Sequence, residues 1–420
     1  MSFDPVAGSG SPPPAALIAP IPRVSIQCFC ETPDVAAVIQ ETMGDRRMSR
    51  AHVKVNMGGA PAAVEAYRTA PTPNVIVIET GGDRDTLTGH LDKLAEYCDG
   101  GTKVVVVGRL NDIVLYRELI GRGVSDYLVA PFPALDFVQA LSNLYTGGTA
   151  TPVGRMIAVT GAKGGVGAST LAHNVAWAIS RGFDCATAIV DLDLPYGTAG
   201  LDFNQDPPQG IAEAVFSPDR LDASFVDRLL SKCTDKLSIL GAPAMLERAY
   251  DFSETAFDGL FDILRATVPV VVLDVPHSWT AWSRRALIGA DEVVVVAAPD
   301  LANLRNSKNL VDALRSARPN DAAPKLVLNG VSLPKRPEIA VADFAKSLEL
   351  QPSAVLPFDA KLFGTASNNG QMIGEVEPAS HSAELFAELG RCVMGRAEVR
   401  RGRRTLFHPL MSRFARQKAS

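Results

Sequence analysis

The sequence predicts an α/β protein with two successive domains, each built on a mostly parallel β-sheet. Short, continuous apolar runs such as NVIVIE and KVVVV are typical of strands that are covered on both faces. Segments with helical spacing separate these runs, as in a sheet wound with helices on both sides. The length of 420 residues fits two or three domains.

The first elements form a small βα domain. Residues 1–22 are rich in Pro, Gly, Ser and Ala, so we expect them to be disordered. The domain should span 23–145, and TGGTATPVG places a linker at 146–154. Its predicted elements are the strands VSIQCFC, NVIVIE, KVVVV and DYLV, the helix PDVAAVIQETM, and the helix PFPALDFVQALSNLY that prolines open.

A second α/β domain should span 155–395. Its predicted strands are RMIAVTG, ATAIVDLD, KLSILGAP, VPVVVLDVP, EVVVVAAP, KLVLNGV and SAVLPFD. This count indicates a doubly wound sheet of seven or eight mostly parallel strands. Because such sheets bind ligands at the carboxyl ends of their strands, polar residues at those ends are the candidate site residues.

Composition excludes several classes of protein. A net charge of −5 gives no global signal for nucleic acid binding, and 47% hydrophobic residues are ample for buried cores. The six cysteines are dispersed, as expected of reduced thiols in a cytosolic protein. Neither a signal peptide nor an apolar run near the ~20 residues that span a bilayer is visible, so we expect a cytoplasmic protein, for which docking on a membrane surface stays open.

A glycine-rich segment, AKGGVGAS at 162–169, follows a predicted strand and opens a predicted helix. Glycines let backbone N–H groups approach a phosphate chain, and the helix N-terminus adds positive potential. The hydroxyl of Ser169 or Thr170 is placed to reach Mg²⁺. The pattern G-x-x-x-x-G-K-[ST] is broken by Ala162 and Ala168, and the alternative is a plain turn with a solvated Lys163.

The segment K-G-G-V-G-x-[ST]-T resembles the deviant phosphate loop of MinD/ParA ATPases, whose extra lysine reaches across a dimer to the partner's nucleotide. Lys163 holds that position. The resemblance implies ATP and Mg²⁺ as cofactors and a homodimer around the nucleotide. The expected nucleotide-binding residues are Lys163, Gly164, Gly165, Val166, Gly167, Ala168, Ser169 and Thr170.

Further polar residues follow the predicted strands in the order of that family. The resemblance implies that Asp191 supports Mg²⁺ and that Asp193 positions the attacking water. Asp274 matches the acid that holds a magnesium-bound water, with Ser169 as the other metal residue. Taken singly, these acids are equally well explained as loop or capping residues. The residues implied for the adenine base are Asn329, Pro357 and Phe358.

Ala168 removes a charge that serves hydrolysis. The lysine of the phosphate loop is a point charge on the β- and γ-phosphates, and stabilising the transition state is its main role. Lys163 compensates in part, and only in a closed dimer. We therefore expect nucleotide binding to persist and the chain to be a weak ATPase at most.

The first domain resembles a response-regulator receiver with a flavodoxin-like fold. Phosphotransfer needs an Asp nucleophile, an acid pair for Mg²⁺, a Thr or Ser, and a Lys. Here Glu79 stands at the Asp position, Gly108 at the Thr/Ser and Ala130 at the Lys, and the first strand ends without a clear acid pair. We expect a binding or dimerising module that accepts no phosphate, in which Glu79 either mimics phosphoaspartate or is structural.

This combination resembles the CpaE/TadZ pilus-assembly family over about residues 23–395. The resemblance implies a role in placing or assembling a Tad/Flp type IV pilus machine, with a CpaF/TadA-like secretion ATPase as partner, at the cell pole and the inner membrane. Two alternatives remain, a ParA-like DNA partition ATPase and a MinD-like regulator of cell division or flagellar placement. No sequence-specific nucleic acid is expected.

The tail at 396–420 is basic and places Leu406, Phe407, Leu410, Met411 and Phe414 on one helical face. Flanking arginines are typical of helices that lie on anionic membranes. Pro409 within the stripe counts against a continuous helix. Peripheral membrane contact, docking on a partner and a plain basic tail are therefore all open.

Overall fold

The computed structural model describes residues 18–82, 84–146, 153–205, 209–247 and 249–395. The predicted amphipathic tail and most of the predicted disordered N-terminus lie outside these ranges, as does the middle of the predicted linker. Within these ranges no helix combines the length and apolar content needed to cross a membrane.

The first sheet has five parallel strands in the order β2-β1-β3-β4-β5. The strands are β1 (Ser25–Cys30), β2 (His52–Met57), β3 (Val75–Glu79), β4 (Lys103–Gly108) and β5 (Asp126–Val129). The helices are α1 (Pro33–Thr42), α2 (Gly59–Tyr67), α3 (Arg84–Ala95), α4 (Ile113–Gly121) and α5 (Ala134–Thr146). This strand order is the flavodoxin-like one, which confirms the predicted fold class.

Helices cover both faces of this sheet and enclose two apolar cores. One core packs α1 and α5 on the sheet, and the other packs α2, α3 and α4 on the opposite face. Ile18 and Ile21 are buried in the first of these cores. The packed chain therefore begins before residue 22, where we predicted the disordered stretch to end.

In the described part of the chain the second sheet has eight strands in the order β13-β12-β11-β6-β10-β7-β9-β8, of which only the edge strand β8 is antiparallel. The strands are β6 (Arg155–Gly161), β7 (Thr187–Asp191), β8 (Ser231–Lys232), β9 (Leu237–Leu240), β10 (Val270–Val275), β11 (Glu292–Ala297), β12 (Lys325–Val331) and β13 (Pro352–Pro357). The predicted doubly wound, mostly parallel sheet is confirmed.

Eleven further helices are described around this sheet. They are α6 (Ala168–Gly182), α7 (Ala199–Asp202), α8 (Ile211–Phe216), α9 (Ala223–Leu229), α10 (Asp258–Thr267), α11 (Ala281–Gly289), α12 (Leu301–Ala317), α13 (Val341–Leu348), α14 (Ala360–Asn369), α15 (Ile373–Val376) and α16 (His381–Val393). They bury one apolar core on each face of the sheet. Strand β6 lies between β10 and β11, so the segment that leaves it emerges at the centre of the sheet.

A buried ion network, which we call the interdomain network, joins the two sheets. A 3₁₀ turn at Arg46–Met48 in the first domain supplies Arg46, whose Nε lies 2.6 Å from Asp321 and whose Nη1 lies 3.2 Å from Asp291. Arg47 also pairs with Asp321 and, at 2.9 Å, with Asp45. Taking charges out of water is costly. The network therefore holds the two domains together only while each of its charges keeps a partner.

Arginines of the second domain complete the interdomain network. Arg318 Nε lies 2.9 Å from Asp321, and Arg265 Nη2 lies 2.6 Å from Asp291. Burial alone would raise the pKa of Asp291, but the charges of Arg265 and Arg46 outweigh it and lower this pKa below its ordinary value. The carboxylate therefore stays ionised inside the protein.

Candidate functional site

The glycine-rich loop between β6 and α6 has the backbone of an anion-binding turn. Gly165 and Gly167 have φ values of +76° and +83°, in the left-handed region that favours glycine. A Cβ at Gly167 would come within 2.5 Å of Asn329 Nδ2. Gly167 is also the N-cap of α6 and provides no side-chain cap, so the first N–H groups of the helix remain for an anion.

A cavity of about 680 Å³ opens in front of this loop. Residues 163–170 line one side of it, and Asp193 and Asp274 line the other. Aromatic rings of Tyr250, Phe252 and Trp282 close part of its wall. The structure therefore brings together the predicted phosphate loop, the predicted hydroxyls and two of the three predicted acids.

The third acid, Asp191, lies behind the cavity. Asp191 and Asp274 face each other in register on β7 and β10, and both are buried. Asp191 accepts hydrogen bonds of 3.1 Å from the backbone N–H groups of Asp193 and Ala199. Burial and the nearby charge of Asp274 raise the pKa of Asp191 to about 7. Two carboxylates at facing positions of neighbouring strands favour a bound cation.

The donor set fits magnesium better than a metal held by protein alone. In the part of the chain that the structure describes, no group of three or more His, Cys, Asp or Glu side chains is arranged to hold a metal. Mg²⁺ usually takes one or two carboxylates and completes its shell with water and substrate phosphates. The buried acid pair beside an anion-binding loop meets this requirement.

Asp193 lines the cavity directly. Its Oδ1 accepts a 3.2 Å hydrogen bond from the backbone N–H of Tyr196, and burial raises its pKa. A carboxyl with a raised pKa in a cleft is a candidate proton acceptor. The position of Asp193 in the cavity lining is therefore compatible with its predicted role, which is to position the attacking water.

The three predicted base-binding residues lie outside the cavity lining, across the phosphate loop. Asn329 Nδ2 donates to the carbonyl of Val166 at 2.8 Å, and its Oδ1 accepts from Gly330 N–H at 2.9 Å. One N–H and one lone pair of this amide stay available to a ligand. Pro357 ends β13, and Phe358 is 45% exposed beside it.

Positive charge is scarce around the cavity. Among its described lining residues, Lys163 is the only Lys or Arg, and its side chain is exposed. Ala168, the first residue of α6, contributes no charge. A bound nucleotide therefore depends on backbone N–H groups and on a divalent cation.

His173 is a site residue that the sequence analysis missed. It lies one helical turn after Ser169 on α6 and is fully buried. Its Nδ1 lies 2.7 Å from Asp202 and its Nε2 lies 3.5 Å from Asp274. The available signal was a histidine four residues after Ser169, whose hydroxyl was predicted to reach the metal, hence on the same face of the helix.

The receiver-like site is filled by its own side chains. The buried Glu79 carboxylate accepts hydrogen bonds from Glu31 N–H at 2.8 Å, Thr32 N–H at 2.9 Å and Thr32 Oγ1 at 2.6 Å. These contacts fix the start of α1, which favours the structural explanation of Glu79. A Cβ at Gly108 would come within 2.2 Å of the Tyr127 hydroxyl, so the tyrosine fills the space of a Thr or Ser side chain.

Comparisons with known proteins agree with this fold. No family model matches the chain. A ParA family ATPase from Chlorobium tepidum has a similar structure, with a TM-score of 0.52, at 23% identity over 57% of this chain and 98% of that one. The septum site-determining protein MinD of Synechocystis is 24% identical over 249 residues, which is 57% of this chain and 90% of that protein.

A closer sequence match is a structure of the pilus assembly protein CpaE from Caulobacter crescentus. It is 50% identical and the match covers 30% of this chain and 97% of that chain, with a TM-score of 0.30. The identity over nearly all of the Caulobacter chain, and not the superposition, carries the assignment. The chain therefore belongs to the family of the pilus assembly protein CpaE.

Proposed function

We propose that this chain binds ATP with Mg²⁺ in the cavity in front of β6, and that it serves the placement or assembly of a Tad/Flp type IV pilus machine. The observation that carries the proposal is the left-handed glycine loop that opens α6 opposite the buried acid pair of Asp191 and Asp274. An anion-binding loop beside paired carboxylates suits a nucleotide that arrives with a divalent cation.

Each residue then has a defined part in binding. Backbone N–H groups of 163–170 hold the phosphates, and Ser169, Asp191 and Asp274 hold the cation and its waters. Asp193 orients a water near the γ-phosphate, and Asn329, Pro357 and Phe358 hold the adenine. The cation neutralises phosphate charge when bound. The missing charge at Ala168 makes hydrolysis slow.

We also propose that ATP drives formation of a homodimer. Lys163 is exposed at the mouth of the phosphate loop, so its ammonium is free to reach a nucleotide held by a second copy. The site of one chain alone has little positive charge to place on the γ-phosphate. A lysine from a partner copy would supply this positive charge, and formation of the dimer would then depend on the bound nucleotide.

The pilus role rests on the likeness to the Caulobacter pilus assembly protein. From it we propose a CpaF/TadA-like secretion ATPase as partner, and a cytoplasmic protein that acts at the cell pole and contacts the inner membrane peripherally through its tail. Deleting the gene should abolish the pili, and co-purification with the secretion ATPase should depend on ATP. Normal pili in the deletion strain would refute this role.

Calorimetry with the full chain tests the nucleotide site. ATP with Mg²⁺ should give binding heat, and Asn329→Ala should weaken the affinity roughly tenfold, the effect of losing one good hydrogen bond. Asn369→Ala is the matched control, because Asn369 is exposed at the end of α14. Absence of heat with any adenine nucleotide would overturn the proposal.

Light scattering tests the dimer. The mass of the wild-type chain and of the control Lys93→Ala should double with ATP, whereas Lys163→Ala should stay at its nucleotide-free mass. Lys93 lies on α3, an element of the other domain. A wild-type mass that ATP does not change contradicts nucleotide-driven dimerisation.

A further inference from the structure

A buried histidine lies between two carboxylates beneath the proposed magnesium site. His173 is 0% exposed, and its Nδ1 lies 2.7 Å from Asp202 Oδ2. Its Nε2 lies 3.5 Å from Asp274 Oδ2 and makes no hydrogen bond with any residue that the structure describes. A buried ring nitrogen without a hydrogen bond is costly, so its orientation toward Asp274 needs an explanation.

The same contacts tie a short helix to both acids of the site. Helix α7 follows the loop that carries Asp193, and its first residue, Ala199, donates its N–H to Asp191 Oδ2 at 3.1 Å. Its last residue, Asp202, holds His173. Asp191 and Asp274 lie in register on neighbouring strands. The two ends of α7 are therefore connected to the two acids, the second one through the imidazole.

Packing leaves the imidazole little freedom to turn. The ring of Phe203 lies beside it, with 5.7 Å between the ring centroids. Both neighbours of the ring are carboxylates, which only accept hydrogen bonds, so the ring suits them by presenting an N–H on each side, Nδ1 to Asp202 and Nε2 toward Asp274. Partners of this kind set the direction of a metal-binding carboxylate in many proteins.

We propose that His173, held by Asp202, is a positioning residue that orients the Asp274 carboxylate for the magnesium ion of the bound nucleotide. This inference rests on the proposed binding of ATP with Mg²⁺. The imidazole itself touches neither nucleotide nor metal, and its effect passes through Asp274. Through α7, the same contacts connect the cation to the loop that carries Asp193.

The test is the magnesium dependence of ATP binding at equilibrium, measured with the full chain. A fluorescent ATP analogue at fixed concentration is titrated with Mg²⁺, and its affinity is measured again in EDTA. His173→Ala should raise the Mg²⁺ midpoint about 10- to 100-fold, the usual loss when such a partner is removed. Affinity in EDTA should change less than about twofold, because the phosphate loop is untouched.

Three further variants separate positioning from simple packing. Asp202→Asn should raise the midpoint about 3- to 10-fold, since it weakens the hold on the ring without emptying the core. His173→Gln retains an N–H donor and should recover part of the loss. His381→Ala is the matched control, because His381 is exposed on α16. A purely structural role would lower the melting temperature and leave the midpoint of the folded protein unchanged.

The outcomes distinguish this inference from the proposed function. If the wild-type chain binds no ATP in Mg²⁺, the proposed function fails and this inference fails with it. If wild type binds and folded Asp202→Asn and His173→Ala keep the wild-type midpoint, only the inference is overturned. If His173→Ala does not fold, Asp202→Asn decides by the same criterion.

Discussion

Asp321 is the residue on which the interdomain network depends most. Its two oxygens pair with Arg46 at 2.6 Å, with Arg318 at 2.9 Å and with Arg47. The side chains of these three arginines are 3%, 6% and 0% exposed. Asp321→Asn keeps the shape of the side chain and removes its charge, which leaves three buried guanidiniums without their shared counter-ion.

Removing one partner of a buried ion pair typically costs about 3–5 kcal/mol. With an unfolding entropy of about 2.1 cal/mol/K per residue, this lowers the melting temperature by about 4–6 °C when roughly 370 residues unfold together. If only the roughly 125 residues of the first domain unfolded in that transition, the same free energy would lower it by about 11–19 °C. The size of the shift thus reports whether the domains unfold as one unit.

Differential scanning calorimetry of the full chain measures this shift. The matched control is Arg68→Ala, which breaks an exposed pair in which Arg68 and Glu65 are 57% and 74% exposed. Such a surface pair contributes about 0–1 kcal/mol. The reasoning is refuted if Asp321→Asn melts within 1 °C of the control variant.

Four further outcomes are expected. Burial raises the pKa of Asp321, but the charge of Arg46 outweighs this effect and holds the pKa below its ordinary value. The stabilisation that the Asp321 carboxylate gives is therefore present above about pH 4 and is lost as the pH falls through the pKa of the folded state. Melting temperatures below pH 4 should therefore fall more steeply for wild type than for Asp321→Asn, and equal slopes would contradict this. Ala168→Lys should raise ATP turnover about 10²–10³-fold in a phosphate-release assay, and a rate equal to that of wild type would refute the role assigned to Ala168. Gly167→Ala should abolish ATP binding in calorimetry, because φ is +83° there and the added Cβ meets a side-chain nitrogen at 2.5 Å, and retained affinity would refute that geometry. Acetyl phosphate should leave the intact mass unchanged, since Glu79 stands at the acceptor position, and a gain of one phosphate would overturn the alignment of β3.

The predictable part of the fold was the part with a strong local signal. The strands β3, β4, β10 and β11 are buried on both faces, and their unbroken apolar runs indicate this directly. Strand β2 was missed because it is an edge strand, in which Val53 is the one buried residue. Its sequence, HVKVNM, carries no continuous run.

The position of the candidate site was predictable where family motifs and strand ends coincide, as at the glycine loop and at Asp274, which line the same cavity. His173 was missed because its partner Asp202 follows 29 residues later, on a four-residue helix. The local signal on α6 was only its spacing of four residues from Ser169, and ordinary core residues share that spacing. The interdomain network could not be predicted from the sequence for the same reason, since Arg46 and Asp321 are 275 residues apart.

The interdomain network also restricts how this chain can be recombined with its relatives. A receiver-like domain grafted from another protein would have to carry the Asp45-Arg46-Arg47 triplet at the same turn. Without it, Asp291 and Asp321 would keep only Arg265 and Arg318 of their own domain as counter-charges. Successful chimeras should therefore exchange the triplet and the two distant aspartates together. In a library of such chimeras, the folded members should carry these five residues together from the same parent.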